Sequence, residues 1–368
     1  MKTINFLISF ILLSNINIFA QSGDSSDSFP WVLNLKKQVG FIADVSNANN
    51  HLINHHVFPY NLDIAYKTRG GKPWHSMYNY PEHGLSMWYI NLQNPDQLGS
   101  LIVAMPYINF RIFQWNRFGF YLRPSIGMAY ATKTFHRTEN HKNLFFSTHF
   151  NAAFGFLGEF SYQVNDHFSV NVNPLFNHFS NGETNMPNDG MNVPGISFGL
   201  KYTSNTDPQK FEHVKIIPEK RKLNFSIAPS LGIKETKPFE GPKYLIYTIT
   251  SDILYKITRW QYIGGGFDFM YDEENIRKWL GKNELKNKRI SNNLKAVHIT
   301  HEMIVYPLHI IAQMGMYTNN KVLEPKRKVF NRFGIKYFVH PSIFIGIAHK
   351  SHFFFIGDYI DWFVGVRI

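Results

Sequence analysis

Segments of strand length with a period of two run through this chain almost without interruption, one parity oily and the other small or polar. In FGFYLRPSIGMAY, Phe118, Phe120, Leu122, Pro124, Ile126, Met128 and Tyr130 alternate with Gly119, Tyr121, Arg123, Ser125, Gly127 and Ala129. LNFSIAPSLGI repeats the pattern from Leu223 to Ile233, and near the end Trp362, Val364, Val366 and Ile368 alternate with Phe363, Gly365 and Arg367. Successive side chains on a strand point to opposite faces, so these segments build a sheet that is greasy on one side only. A soluble sandwich also alternates, but its polar face carries more charge than the Gly, Ser and Asn found here. An antiparallel barrel with an oily exterior and a polar, wet lumen fits better, and closure removes the sheet edges that so many strands would otherwise present. The expected fold class is all-β, a transmembrane outer-membrane β-barrel.

Composition agrees. Aromatic residues make up 16% of the chain and charged residues only 17%, which suits side chains turned outward into lipid. The opening MKTINFLISFILLSNINIFA has one lysine, an apolar run from Phe6 to Leu13 and a small residue at Ala20, the pattern of a secretory signal peptide over residues 1–20. A polar leader is expected over 21–34. No later stretch has the length and apolarity of a membrane helix. The absence of cysteine excludes a disulfide framework and thiolate metal sites, and with export it points to the bacterial envelope. A net charge of +12 favours anionic partners, and export selects phosphorylated lipids over nucleic acid.

Alternation places strands near residues 36–46, 58–67, 84–92, 100–113, 118–132, 145–163, 167–179, 194–204, 221–234, 243–257, 261–271, 295–305, 308–318, 331–339, 342–349 and 353–368. That is about sixteen, with twelve or fourteen if early segments leave the wall, and single-chain barrels take an even number. Residues 35–204 are read as the first half of the barrel and 205–368 as additional strands. Short connections at 115–117, 165–167, 258–261, 306–307 and 340–342 alternate with long ones, so the short set is periplasmic and the long set faces outward. Thr68 to His83 and Asn205 to Lys220 break this rule, being periplasmic by count but long; short helices or periplasmic excursions are the readings for them.

One segment places chemistry on the oily face. Along HFSVNVNPLFNHFSN, Phe168, Val170, Val172, Pro174, Phe176, His178 and Ser180 share a parity, opposite Ser169, Asn171, Asn173, Leu175, Asn177, Phe179 and Asn181. Residues i and i+2 on a strand lie about 6.5 to 7 Å apart at their Cα atoms, within reach of a base and a hydroxyl. In the following strand Ile196, Phe198, Leu200 and Tyr202 face lipid and Ser197, Gly199 and Lys201 the lumen; two steps back, Asn192 falls on the lipid side. The loop after Ser180 faces outward, so the three polar residues converge at the outer-leaflet rim.

His178-Phe179-Ser180-Asn181 followed by Pro187-Asn188-Asp189-Gly190, with AYATKTF upstream and an aromatic-rich strand ending at Tyr202, resembles the lipid A 3-O-deacylases of PagL type, especially their longer forms labelled acyloxyacyl hydrolases. The likeness spans about residues 84–204. It implies an outer-membrane esterase that removes an acyl chain from lipid A without a cofactor. His178 would be the base, Ser180 the nucleophile, and Asn181 and Asn188 would stand near the oxyanion. The third residue of the family is a glutamate, and its place holds Asn192; Glu183 and Asp189 lie in the same loop as stand-ins. The implied partners are lipopolysaccharide and the bacterial outer membrane, with no nucleic acid and no obligate protein partner. The rival reading is a non-enzymatic barrel, a pore or a carrier of hydrophobic molecules.

Other groups read as structural. His51, His55 and His56 belong to a solvated outer loop, and His298 and His301 fall on opposite faces of a strand. The basic cluster from Asp272 to Arg289 is read as a charged loop with a short amphipathic helix, its functional alternative being capture of phosphate or anionic sugar. Gly264 to Gly266 lie inside a strand, where they relieve crowding.

Overall fold

The computed structural model describes residues 30–44, 47–204, 222–235, 241–272, 293–318, 328–352 and 356–368. The expected signal peptide, most of the leader, the connection Asn205 to Lys220 and the basic cluster after Asp272 lie outside them. Among the described residues the first set of strands is β1 (Trp31–Gly40), β2 (Tyr60–Lys67), β3 (Glu82–Asn91), β4 (Ser100–Trp115), β5 (Phe118–Ala131), β6 (Phe150–Gln163), β7 (Phe168–Ser180) and β8 (Met191–Thr203). The second is β9 (Leu223–Glu235), β10 (Lys243–Lys256), β11 (Gln261–Asp272), β12 (Asn293–Val305), β13 (Leu308–Tyr317), β14 (Val329–His340), β15 (Ile343–His352) and β16 (Ile356–Arg367). No described helix is long and apolar enough to cross a membrane; the strands do that.

The expected total of sixteen strands is present, but they do not share one wall. β1 pairs with β8, Val32 to Gly40 running against Thr203 to Gly195, and β9 pairs with β16, so the sheet closes twice into two antiparallel barrels of eight. Residues 205–368 therefore do not widen the first barrel; Leu223 to Arg367 close on themselves.

The lumen side chains explain this closure. In the first barrel Asp63 on β2 meets Lys36 on β1 at 2.6 Å and Arg123 on β5 at 2.5 Å. Arg123 also meets Glu159 on β6 at 3.0 Å, while Lys201 on β8 pairs with Glu159 and, at 3.1 Å, with Glu82 on β3. In the second barrel Glu302 on β12 receives Arg367 on β16 at 2.7 Å and Lys336 on β14 at 3.0 Å, and Arg332 on β14 meets Asp361 on β16 at 3.2 Å. Charges this deeply buried persist only when paired. Eight strands make an interior that side chains can fill, and opposite walls then come within bonding reach; sixteen would hold them apart in water. The wet lumen expected from the polar parity is instead filled by these networks, and one cavity of about 20 Å³ beside Asp252, Gln313 and Arg332 has room for about one water.

Two boundaries move for related reasons. β1 starts at Trp31, inside the segment read as leader, because its lysine at 36 is a lumen residue with a partner rather than a solvated one. β6 starts at Phe150, because Phe145 and Phe146 leave the wall to fill the apolar plug under the outer loops, with Leu52, Trp88 and Leu98.

The barrels stand side by side in the same orientation. On the periplasmic side the long connection between β2 and β3 holds the short helix α1 (Pro73–Met77), ended by Tyr78. The Tyr78 hydroxyl donates to the Ile304 carbonyl of the second barrel at 2.7 Å, and its ring packs with Phe110 and Trp260. Burial raises the pKa of this phenol well above its ordinary value, which keeps it a donor. At the opposite end, the outer loop that follows β7 meets β9 and β16.

Candidate active site

β7 carries its oily parity to the membrane as expected: Phe168, Val170, Val172 and Phe176 are 40–45% exposed, while Asn171, Asn173 and Asn177 are buried in the lumen. His178 and Ser180 continue the oily parity at the outer end, yet His178 is half-buried and Ser180 buried. The cover comes partly from the second barrel.

His178 is held by the neighbouring strand. In the β7–β8 register it faces Asn192, and its Nδ1 lies 2.7 Å from Asn192 Oδ1. An amide oxygen only accepts, so in this arrangement Nδ1 carries the proton and Nε2 is left as the basic nitrogen. Ser180 is held by the loop that follows it. Its Oγ accepts hydrogen bonds from Asn188 Nδ2 at 2.8 Å and from the Gly182 N–H at 3.1 Å. The Asn188 amide has only one useful orientation, since its Oδ1 accepts the Asn181 N–H at 3.1 Å and thereby turns the NH2 toward the serine. Among the described residues no hydrogen bond joins His178 directly to Ser180.

Gly190 explains the glycine of the PNxG stretch. Its φ of +66° is in the left-handed region, and a Cβ there would stand 3.0 Å from His178 Cε1 and 3.4 Å from Ser180 Cβ. The imidazole and the serine thus flank a single point in the loop, which only glycine leaves vacant.

The remaining sequence candidates have separate roles. Asn181 turns its side chain into the loop, donating to Ser147 Oγ, Thr148 Oγ1 and the Asn185 carbonyl, so it acts on Ser180 through Asn188 rather than directly. Asp189 accepts from Asn49 Nδ2 at 2.8 Å, and Asn49 Oδ1 accepts the Leu144 N–H, a knot joining three outer loops. Glu183 faces Lys234 of the second barrel at 3.6 Å. The hydrogen bond that orients His178 comes from Asn192. His51, His55 and His56 are exposed in the first outer loop; His298 points into the second lumen between Asp252 and Asp268, while His301 points outward.

Sequence reasoning missed the second barrel's share of the site. His349 on β15 lies 6.3 Å from His178 and 5.6 Å from Phe154, ring centre to ring centre. Ile360 on β16 sits against Gly182, where a Cβ would come within 2.6 Å of it. Glu235 at the end of β9 accepts the Met186 N–H at 2.5 Å and donates its own N–H to the Glu183 carbonyl at 2.9 Å, bracing the loop that carries Asn188. The signal for His349 was available: in IFIGIAHKSH it shares the oily parity of Ile343, Ile345 and Ile347, as His178 shares that of β7.

Comparison with known proteins divides the chain as the barrels do. A family profile described as lipid A 3-O-deacylase (PagL) matches residues 60–201, and one described as acyloxyacyl hydrolase, C-terminal domain, matches residues 222–368. No curated protein matches the chain. Among solved structures, the outer membrane enzyme PagL aligns at 14% identity and a TM-score of 0.34, over 45% of this chain and 97% of its own. Neisserial surface protein A aligns at 10% identity and a TM-score of 0.34, over 48% of this chain and 97% of its own. With one profile on each barrel, the chain belongs to the PagL-type lipid A 3-O-deacylase family of the bacterial outer membrane, in a form extended by an acyloxyacyl hydrolase C-terminal domain.

Proposed function

We propose that this protein is a serine-type esterase that hydrolyses an acyl ester of lipid A on the membrane-facing side of its first barrel. The observation that carries the reading is the pair of tethers at the outer-leaflet end: His178 fixed as a base by Asn192, and the Ser180 hydroxyl fixed by Asn188 and Gly182.

Ser180 Oγ attacks the ester carbonyl while His178 Nε2 takes its proton. The two side chains flank the same point over Gly190, so rotation of the serine brings its hydroxyl toward the imidazole. The tetrahedral oxyanion then takes over the Asn188 NH2 and the Gly182 N–H as donors, fixed dipoles that need little reorganisation. Collapse expels the sugar alkoxide, which recovers the proton from His178. Water, activated by His178, then releases the fatty acid and restores the serine. No cofactor enters.

The lumens favour this reading over a pore, because buried ion pairs from several strands occupy both interiors. The test is mass spectrometry of lipid A from outer membranes carrying the wild type or Ser180→Ala. Loss of one acyl chain with the wild type and its retention with the variant is expected. If both spectra keep every chain, the deacylase reading fails; if both lose the same chain, the serine mechanism fails.

A further inference from the structure

We propose that the second barrel completes the active site and that His349 is a substrate-binding residue, its imidazole hydrogen-bonding an oxygen of the lipid's polar region beside the scissile ester. The inference rests on the deacylase reading above.

Its starting point is the double closure. A sixteen-stranded wall would place β15 remote from β7, whereas two barrels side by side bring His349 to 6.3 Å from His178, with Phe154 lying 5.6 Å from the one and 6.5 Å from the other. These three rings cluster beside the candidate base, where the two barrels meet. Ile360, from the strand paired with β15, packs against Gly182, two residues after Ser180.

The second observation is chemical. His349 Nε2 is shut off from solvent and has no hydrogen-bond partner. Leaving such a nitrogen unsatisfied is unfavourable, and a packing role alone would be met by leucine or phenylalanine without that penalty. The neighbouring outward positions on β15 are isoleucines, which is what a lipid-facing position ordinarily holds. A histidine that breaks this rule opposite a candidate catalytic histidine, at the membrane depth of the lipid head group, has its missing partner supplied by substrate. A lipid bound with its ester carbonyl at Ser180 would bring ester and sugar oxygens to that side.

Two substitutions separate binding from packing. His349→Phe keeps the ring and removes both nitrogens; His349→Gln keeps a polar nitrogen near the Nε2 position and loses the ring. The wild type, both variants and Ser180→Ala are assayed for fatty acid release from lipid A in mixed detergent micelles, with barrel folding checked by heat-modifiable gel migration. The expected order is wild type, then Gln, then Phe, with kcat/KM at least tenfold down in Phe and recovered to within about threefold of wild type in Gln, mostly through KM. Phe at or above Gln, equal loss in both, or Phe within twofold of wild type overturns the role of His349. Undiminished release by Ser180→Ala overturns the underlying mechanism instead, so the two failures are distinguishable.

Discussion

Asn192 is the position where one oxygen-for-nitrogen exchange ought to make this enzyme faster. Its Oδ1 already lies 2.7 Å from His178 Nδ1, and aspartate is isosteric, so Asn192→Asp keeps the contact and changes its charge. The asparagine has two amide orientations, and only the one with oxygen toward Nδ1 leaves Nε2 basic. Aspartate has acceptors on both sides and selects the productive tautomer in either. In the proposed mechanism it also stabilises the imidazolium that forms as Ser180 loses its proton. A net hydrogen bond is worth about 0.5–1.5 kcal/mol between neutral groups and about 1.5–3 to a charged one, a gain of roughly 1–1.5 kcal/mol. At about 1.36 kcal/mol per factor of ten, that is roughly five- to thirteen-fold in turnover. A full Coulomb attraction across about 4 Å at an effective dielectric of 20 gives about 4 kcal/mol and sets a ceiling near a thousandfold. Desolvation of the carboxylate keeps the real value toward the lower figure. The assay is fatty acid release under single-turnover conditions, with Asn192→Leu as the opposite control. The reasoning is refuted if Asn192→Asp is no faster than wild type while folded, or if Asn192→Leu matches wild type.

Gly190→Ala forces a left-handed backbone on alanine and pushes a methyl group to about 3 Å of the imidazole; release should fall at least tenfold while the barrel still shows its folded gel mobility. Arg123→Met leaves Asp63 with Lys36 and Glu159 with Lys201 but removes the cation that bridges the two carboxylates, and should lower stability by about 1.5–3 kcal/mol, read as an earlier urea midpoint in liposomes. Glu235→Ala frees the Met186 N–H and loosens the loop behind Asn188, so turnover should drop by about three- to tenfold, or about 0.7–1.4 kcal/mol, with folding retained. Unchanged turnover there would mean that the loop holds itself.

What could be read from the residues alone follows from what lipid demands. Most outward positions must be apolar and every strand must be paired, so alternation located the strands and assigned Phe198, Leu200 and Trp362 to the exterior, where they are exposed. Alternation is local, however, and does not say which distant strands meet. The pairings of β1 with β8 and of β9 with β16 leave no trace in it. The trace lay in the length of sequence from Asn205 to Lys220, too long for the short connection expected there, and in lumen residues as large and charged as Arg123 and Arg367. For the site, parity brought His178 and Ser180 to one face, and extrapolated register brought Asn192 beside them. Loop geometry was not legible: whether Glu183 or Asp189 approached His178 depended on Lys234 and Asn49, which claim them. His349 escaped because its relation to His178 runs between two barrels.

The seam between the barrels differs in kind from every other strand contact in the molecule. Within each cylinder neighbours are joined by ladders of backbone hydrogen bonds, but across the seam there are side chains in contact and polar bonds near the two ends, at Tyr78 below and at Met186 above. Inside a bilayer, apolar surfaces gain nothing over lipid by meeting each other, so shape and those few end contacts hold the halves together. The proposed reaction centre therefore lies along the boundary between the two barrels. The 6.3 Å between the rings of His178 and His349 is set by packing between barrels and by no strand pairing.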